Sequence, residues 1–225
     1  MKNDHKGKKA LVCAASKGIG LACARKLREH NADVTVCSRT YCDEFPHITC
    51  DLTDPISIEN MCKGLDVSIL VLNTGGPPVG GVLDLTDDDW LRDHNNLFLS
   101  TTRIIAYLLP KMLEKGYGRI TSVLSITAKQ PSNKLASSSI YRNALISYFK
   151  LLSKEVADKN VMVNSICPDN IATQRLMDLG GGKETPIGRR QSPEEFSELV
   201  NFLCSEECTM LGNSLLFDGG SSKSI

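Results

Sequence analysis

Apolar runs and amphipathic stretches alternate along the whole chain. The apolar runs are short and almost continuous, as in the buried strands of a parallel sheet, and the amphipathic stretches carry apolar residues at helical spacing. The predicted strands are residues 10–13, 33–37, 47–50, 67–72, 119–124, 161–167 and 215–217. The predicted helices are residues 18–30, 55–63, 87–114, 136–159 and 193–205. This order predicts an α/β fold of the Rossmann type, a doubly wound parallel sheet of seven strands with helices on both faces.

Residues near the predicted helix ends agree with these boundaries. Thr86 and Ser192 each precede a run that starts with acidic residues or with proline, which is typical of a helix N-terminus. Residues 174–192 include three consecutive glycines and carry no clear pattern, so they predict a mobile loop. Because the sequence shows no repeat or linker, its 225 residues predict a single domain.

Charge and composition exclude several classes of function. Lys and Arg together number 26, as do Asp and Glu, so the chain lacks the basic excess expected of a protein that binds nucleic acid or an anionic membrane. No apolar run is long enough to span a bilayer, and the N-terminus lacks the apolar core of a signal peptide, which predicts a cytoplasmic protein. The nine cysteines are scattered, without a Cys-x-x-Cys pair, so neither a disulfide framework nor a metal site is expected.

The first strand leads into a turn of small residues with the sequence Ala14-Ala15-Ser16-Lys17-Gly18-Ile19-Gly20. A helix that begins at Gly18 directs its free N–H groups and the positive end of its dipole toward a bound anion. Glycine at positions 18 and 20 allows a diphosphate and the neighbouring strand to approach the backbone closely. The turn therefore predicts a site for a nicotinamide dinucleotide.

The end of the second strand indicates which dinucleotide is bound. Sites selective for NAD usually place an acidic residue there, to accept a hydrogen bond from the ribose 2′-hydroxyl. Here the strand continues into Ser38 and Arg39, and Lys17 lies in the turn before the first helix. Arginine and lysine bind a 2′-phosphate, so the sequence favours NADP(H), with NAD(H) as the alternative.

The glycine turn and several later motifs together resemble the short-chain dehydrogenase/reductase family, over almost the whole chain. Asp51-Leu52 is similar to the family's adenine-contacting pair, and Asn73-Thr74-Gly75-Gly76 to its Asn-Asn-Ala-Gly motif. Pro168, Ile171 and Thr173 resemble the segment that covers the nicotinamide, although Asp169 replaces a glycine there and Ala14 replaces another in the turn. The branch resembled is that of the 3-oxoacyl-carrier-protein reductases. The predicted cofactor-binding residues are Ala14, Ser16, Lys17, Gly18, Ile19, Gly20, Ser38, Arg39, Asp51, Leu52, Asn73, Gly75, Arg142, Pro168, Ile171 and Thr173.

The resemblance also implies a catalytic set of Ser, Tyr, Lys and Asn, which this chain carries only in part. Ser125 occupies the Ser position, but Ser138 stands where the family has Tyr, and Arg142 stands where it has Lys. Leu97 stands at the Asn position, with Asn96 one residue earlier. An aliphatic hydroxyl is a much weaker acid than a phenol of pKa about 10, and arginine does not give up its proton. The predicted site therefore lacks its usual proton donor.

Tyr141 is a possible substitute for the missing phenol. It lies three residues after Ser138, so the two are near neighbours on the predicted helix. Reaching the same site would require a rotated helix or a shifted register, and packing against another helix or subunit is the alternative role. The predicted catalytic residues are Ser125, Ser138, Arg142 and Tyr141.

Three functions follow from this mixture of motifs. The leading prediction is an NADP(H)-dependent carbonyl reductase or alcohol dehydrogenase that acts on a small-molecule or carrier-bound carbonyl, for example a ketoacyl or polyketide-like substrate. The alternatives are a non-redox enzyme on the same scaffold, such as a lyase, isomerase or cyclase, and a catalytically silent dinucleotide-binding protein. The long helices 87–114 and 136–159 resemble those through which the family forms dimers and tetramers, which implies a homodimer or homotetramer.

Overall fold

A computed structural model describes residues 4–182 and 184–223. Its centre is one parallel sheet of seven strands in the order β3-β2-β1-β4-β5-β6-β7. The strands are β1 (Lys9–Cys13), β2 (Asp33–Ser38), β3 (His47–Thr49), β4 (Ile69–Leu72), β5 (Gly118–Val123), β6 (Val161–Pro168) and β7 (Ser214–Phe217). The predicted doubly wound α/β fold is confirmed. Because the strand order reverses between β1 and β4, a crevice opens there at the carboxyl ends of the strands.

The helices cover both faces of this sheet. They are α1 (Gly18–Glu29), α2 (Pro55–Cys62), α3 (Asp87–Asp93), α4 (Ser100–Lys115), α5 (Ala136–Glu155), α6 (Gln174–Asp178) and α7 (Pro193–Leu203). Capping boxes at Thr86 and Ser192 start α3 and α7, as the sequence predicts. No helix within the described ranges is both long and apolar enough to cross a membrane.

Alternate residues of each strand enter two separate cores. In β1, Ala10 and Val12 pack with α1 and α7, for example against Leu27 and Phe196. Leu11 and Cys13 point the other way, toward a core that includes residues of α2, α4 and α5 such as Phe149. Burial of apolar surface on both sides fixes the sheet, so the loops at its carboxyl edge are held in place by rigid elements.

The nine cysteines lie in these cores or beside them, and all are buried and free. Burial raises the pKa of several of these thiols, for example that of Cys167 to about 11. A buried thiol of raised pKa is a poor nucleophile, so these residues serve as small apolar side chains. Within the described residues, no cluster of His, Cys, Asp and Glu side chains is arranged to hold a metal ion.

Two predicted helices differ from the structure. The stretch predicted as one helix over residues 87–114 is interrupted by a π-helical turn, His94–Leu99, between α3 and α4. The helix predicted over residues 136–159 ends as α5 at Glu155, and Ala157–Lys159 forms a separate 3₁₀ turn. A π turn contains one extra residue, which changes the direction of the side chains before it relative to those after it.

The segment predicted as a mobile loop also differs at its start. Residues 174–178 form the short helix α6, capped by the hydroxyl of Thr173, which accepts a hydrogen bond from the Leu176 N–H at 3.3 Å. Ile171 and Gln191 pair as an isolated bridge that closes the segment at its base. The prediction that all of residues 174–192 are loop is therefore wrong at α6; residue 183 lies outside the described residues.

Candidate active site

A cavity of about 900 Å³ opens at the carboxyl edge of the sheet, at the point where the strand order reverses. Its walls come from the loops after β1, β2, β3, β4, β5 and β6, together with parts of α3, the π turn, α5 and α6. Most of the predicted site residues line it, namely Ala14, Ser16, Lys17, Gly18, Ile19, Ser38, Arg39, Asp51, Leu52, Asn73, Gly75, Ser125, Ser138, Arg142, Pro168 and Thr173.

The turn after β1 is built around backbone contacts that leave little room for side chains. Gly18 has a φ of 59°, a left-handed conformation that glycine adopts without strain. A Cβ on Gly20 would lie 2.6 Å from the carbonyl oxygen of Ala14, so Gly20 acts through packing of the turn and does not itself line the cavity. Ala14 also has a left-handed φ, of 48°, where the family pattern has glycine.

The corner after β2 is fixed by Ser38. Its hydroxyl donates to the carbonyl oxygen of Thr40 at 2.6 Å and lies 2.9 Å from Nε2 of His47, which must then be the donor. The adjacent Arg39 is exposed at the rim of the cavity and forms no ion pair within the described residues. Its charge is therefore available to an anionic ligand.

Asp51 and Asn73 close the same end of the cavity. Hydrogen bonds from the N–H and hydroxyl of Thr53, at 2.9 and 2.8 Å, reach Oδ1 of Asp51 and lower its pKa below the ordinary value. The carboxylate is therefore ionised at neutral pH, and its second oxygen can accept from an amino group. Asn73 donates to the carbonyl oxygen of Ala14 at 3.4 Å and joins the loop after β4 to the glycine turn.

Ser125 and Ser138 line the opposite end. The Oγ atom of Ser125 accepts from the N–H of Thr127 at 3.2 Å and from its hydroxyl at 3.0 Å. With both of these bonds directed to its lone pairs, the hydroxyl of Ser125 keeps its own proton for donation. Ser138 is buried in the first turn of α5 and also lines the cavity.

Arg142 is a buried cation at the same end. Its Nη1 donates to the carbonyl oxygens of Val123 at 3.0 Å and Leu124 at 2.8 Å, just after β5. Burial lowers the pKa of Arg142 to about 10, which leaves the guanidinium charged at neutral pH. Its Nε is buried and has no hydrogen-bond partner among the residues that the structure describes. The side chain therefore brings a fixed positive charge to the cavity wall.

The π turn changes the expected position of the asparagine. Leu97, which stands at the Asn position that the family resemblance implies, is buried in the protein. Asn96 instead lines the cavity, and its Nδ2 donates to the carbonyl oxygen of Gly75 at 3.1 Å. An amide is thus present at the site after all, because the π turn changes the helical register here.

Sequence reasoning missed Asp93, a buried carboxylate that also lines the cavity. It accepts a hydrogen bond from the hydroxyl of Ser137 at 2.6 Å and one from Nε of Arg92 at 3.0 Å. Asp93 thereby ties the end of α3 to the first turn of α5, which carries Ser138. No sequence motif marks this residue, although an aspartate amid an otherwise helical pattern is a weak signal.

The structure does not bring Tyr141 to the cavity wall. Its hydroxyl donates to the carbonyl oxygen of Trp90 at 3.1 Å, and its ring packs against Trp90 and His94. Burial, with a smaller effect from the charge of Asp93, raises the pKa of Tyr141 above its ordinary value. This position follows from helix geometry, since residues three apart differ in direction by about 60°. Ile171 is likewise buried away from the cavity.

The balance of charge suits a dinucleotide. Five cationic side chains line the cavity, from Lys17, Arg39, Arg92, Arg142 and Arg175, against three carboxylates, from Asp51, Asp93 and Asp178. An excess of positive charge within one cleft attracts a polyanion. The glycine turn, where a Cβ on Gly20 would collide with backbone, fits a ligand that lies along the turn.

Comparisons with known proteins agree with this geometry. The family model described as enoyl-(acyl carrier protein) reductase matches residues 13–222. The chain is 30% identical to the 3-oxoacyl-[acyl-carrier-protein] reductase FabG of Vibrio cholerae, over 95% of this chain and 97% of that protein. It is 28% identical to human dehydrogenase/reductase SDR family member 4, over 96% and 88%. The structure of L-sorbose reductase from Gluconobacter frateurii, in complex with NADPH and L-sorbose, matches with a TM-score of 0.90 at 26% identity, over all of both chains.

The chain belongs to the short-chain dehydrogenase/reductase family, and it is an oxidoreductase enzyme. The resemblance predicted from its motifs, including the relation to 3-oxoacyl-carrier-protein reductases, is confirmed.

Proposed function

We propose that this protein is an NADP(H)-dependent carbonyl reductase or alcohol dehydrogenase in which Ser138 and Arg142 stand in for the usual Tyr and Lys. The observation that carries the proposal is the position of Ser125, Ser138 and the charged Arg142 in the cavity that the glycine turn opens. NADPH in the solved L-sorbose reductase complex supports the choice of cofactor.

The two ends of the cavity carry residues that suit different parts of the cofactor. The turn from Ala14 to Gly20 takes the diphosphate through backbone N–H groups, and Asp51, Leu52, Asn73 and Gly75 border the adenosine side. Arg39 and Lys17 are exposed at this end, where two cations favour a 2′-phosphate over a hydroxyl. Pro168 and Thr173 cover the nicotinamide side. When bound, the cofactor supplies or accepts the hydride.

The side chains at the other end stabilise charge on the substrate oxygen. As a carbonyl is reduced, negative charge develops on its oxygen, and a preorganised donor or cation there lowers the barrier. Ser125 has a free proton to donate, Ser138 lies in the same wall, and Arg142 holds a positive charge that cannot move away because two backbone carbonyls fix it. Among the described residues no phenol lines this cavity, so we assign the proton on the product alcohol to water.

The substrate class follows from the relatives only in outline. Relatives are named for 3-oxoacyl groups on a carrier protein and for L-sorbose, both of which are carbonyl compounds. We propose a small-molecule or carrier-bound carbonyl substrate. We further propose a homodimer or homotetramer formed through α4 and α5, where Tyr107, Ile140 and Leu151 are exposed. The single domain and the cytoplasmic location stay predictions.

The proposal is tested by following the absorbance of NADPH at 340 nm with a panel of ketones, hydroxyketones and β-ketoacyl thioesters. We expect oxidation of NADPH in equal amount to the alcohol formed. Loss of substrate without a change in absorbance would instead identify a lyase, isomerase or cyclase. Tight NADPH binding without turnover of any compound, and without an effect of Ser125→Ala, would identify a silent binding protein.

A further inference from the structure

Arg175, in α6, joins the two walls of the cavity. Its Nη2 donates to the carbonyl oxygen of Pro77, in the loop after β4, at 2.6 Å. A Cβ on Gly76 would lie 3.3 Å from both Nε and Nη2 of Arg175, so the guanidinium lies directly against that loop. At the other wall, Cγ2 of Thr173 lies 3.5 Å from the position of a Cβ on Gly18. The start of α6 thus reaches from the glycine turn to the loop after β4.

No carboxylate in the described part of the chain neutralises the charge of Arg175. Within the described residues it forms no ion pair, and the hydrogen bond to Pro77 is to a neutral carbonyl. Arg92, another arginine of the cavity wall, differs because it pairs with Asp89 and Asp93. Arg142 also lacks a carboxylate partner among the described residues, and the charge of Arg175 adds to burial in lowering its pKa. Two guanidinium groups that line one cavity without carboxylate partners give it a positive potential that attracts an anion.

A guanidinium has five N–H donors, and the Pro77 carbonyl uses only one of those on Arg175. The remaining donors can bind phosphate oxygens while the bond to Pro77 keeps the side chain in position. Arg175 lies beside Gly76 and two residues after Thr173, whose Cγ2 packs against Gly18, and we therefore assign it to the diphosphate side of the cavity. The carbonyl-binding wall is formed by other residues, namely Ser125 and Ser138.

We propose that Arg175 is a latch for the cofactor, which binds the diphosphate of the dinucleotide from the side opposite the glycine turn and so slows its release. This inference rests on the proposed function, since it assumes a dinucleotide in the cavity. An anionic group on the carbonyl substrate has the same chemistry, so the experiment must separate the two sources.

The test measures dissociation constants and dissociation rates of NADPH and NADH by fluorescence, for the wild type and for Arg175→Gln, Arg175→Lys and Arg39→Ala. We expect Arg175→Gln to weaken both cofactors by the same factor, about tenfold or more, mostly through faster release. Arg175→Lys should recover part of the loss. Arg39→Ala should weaken NADPH alone, because it acts on the 2′-phosphate.

Binding of cofactor fragments shows which part of the dinucleotide Arg175 contacts. ADP-ribose carries the diphosphate and adenosine 2′-phosphate does not, so Arg175→Gln should weaken the first and leave the second unchanged. Arg190→Gln is a matched control, since Arg190 also donates to a backbone carbonyl, that of Gly182, and lies outside the cavity wall. Its dissociation constants should equal those of the wild type.

Three results would each contradict the proposed role of Arg175, and each would point to a different explanation. Unchanged cofactor constants in Arg175→Gln, with a raised KM for carboxylate or phosphate substrates only, would assign Arg175 to the substrate. Equal weakening of adenosine 2′-phosphate, or a lowered unfolding midpoint, would assign it a structural role. A wild-type protein that binds neither NADPH nor NADH would refute the proposed function itself.

Discussion

The turn after β1 and the first two turns of α5 border the same cavity, and they follow the family pattern to very different degrees. In the turn, Gly18 and Gly20 are retained and are required by the backbone. In α5, Ser138 and Arg142 occupy the positions at which the resemblance implies Tyr and Lys. Diphosphate binding relies on backbone N–H groups, whereas proton transfer relies on particular side chains. A helix can therefore lose its acid while the cofactor site beside it stays intact.

The difference extends to how the two regions are stabilised. The glycine turn tolerates Ala14 in a left-handed conformation, because the cost of about 1–2 kcal/mol is small beside the packing around it. Arg142 is held by two carbonyl oxygens at the end of β5, so its charge takes part in the fold as well as in the proposed chemistry. Substitutions in the two regions should consequently separate binding from turnover.

The largest effect is expected for Arg142→Ala, which removes the fixed charge from the end of the cavity lined by Ser125 and Ser138, here called the catalytic end. We expect kcat/KM to fall by about 100- to 1000-fold, as for the loss of an oxyanion-stabilising group. The dissociation constant of NADPH should change less than kcat/KM. Because the pKa of Arg142 is about 10, the group stays charged between pH 6 and 8, and this residue should add no pH dependence to kcat/KM there.

Arg142→Lys is the control for this variant, since it keeps a positive charge. It should recover part of the rate, measured by the initial velocity of NADPH oxidation. An Arg142→Ala enzyme that is folded and as fast as the wild type would remove Arg142 from the catalytic end.

Gly20→Ala tests the packing of the glycine turn, at the end of the cavity proposed to bind the diphosphate and adenosine, here called the binding end. The added Cβ would lie 2.6 Å from the Ala14 carbonyl oxygen and 2.9 Å from Cα of Ala15, so the turn must shift. We expect the free energy of unfolding to fall by about 1–3 kcal/mol and NADPH to bind more weakly. Gly75→Ala is the matched control, because its Cβ would have no atom within 4 Å and its stability should be unchanged. Both are measured by denaturant unfolding, and equal stabilities would contradict the crowding inferred at Gly20.

Arg39→Ala tests which dinucleotide the binding end prefers. Loss of a charge-assisted hydrogen bond to the 2′-phosphate should weaken NADPH about tenfold, while NADH binding stays the same. Isothermal titration with both cofactors provides the ratio. If NADPH binds as tightly as before, the assignment of the 2′-phosphate to Arg39 is wrong.

Tyr141→Phe has the smallest expected effect. It tests whether Tyr141 replaces the missing phenol as the proton donor. Because its hydroxyl bonds to Trp90, we expect a loss of about 1 kcal/mol in stability and a kcat/KM within twofold of the wild type. Ser138→Ala, one turn earlier, should lower kcat/KM at little cost in stability. A large loss of rate in Tyr141→Phe alone would mean that Tyr141 is the proton donor after all.

The sheet and the glycine turn were predictable because both are local in sequence. Each strand is a short apolar run, and the turn lies directly between the end of β1 and the start of α1. The position of Asn96 was not predictable in this way. The apolar pattern of residues 87–114 is continuous, and nothing in it shows that the π turn changes the register at His94–Leu99.

Long-range partners explain the residues that sequence reasoning missed. Asp93 is buried because Ser137, far along the chain, and Arg92 bind it, and Arg175 reaches the cavity through Pro77 on another loop. Thr173 could have revealed α6, since threonine is a common N-cap residue. The three glycines that follow hide this signal within a segment that otherwise has the composition of a loop.

The central claim is that a chain without the usual phenol still transfers a hydride in this cavity, and isotopic transfer tests it most directly. NADPH carrying deuterium at C4 of the nicotinamide is incubated with the wild-type enzyme and an accepted carbonyl compound, and the product is examined by mass spectrometry and NMR. We expect one deuterium, from one face of the cofactor only, on the former carbonyl carbon of the alcohol. A product formed at the same rate without deuterium would contradict the claim and identify a non-redox reaction.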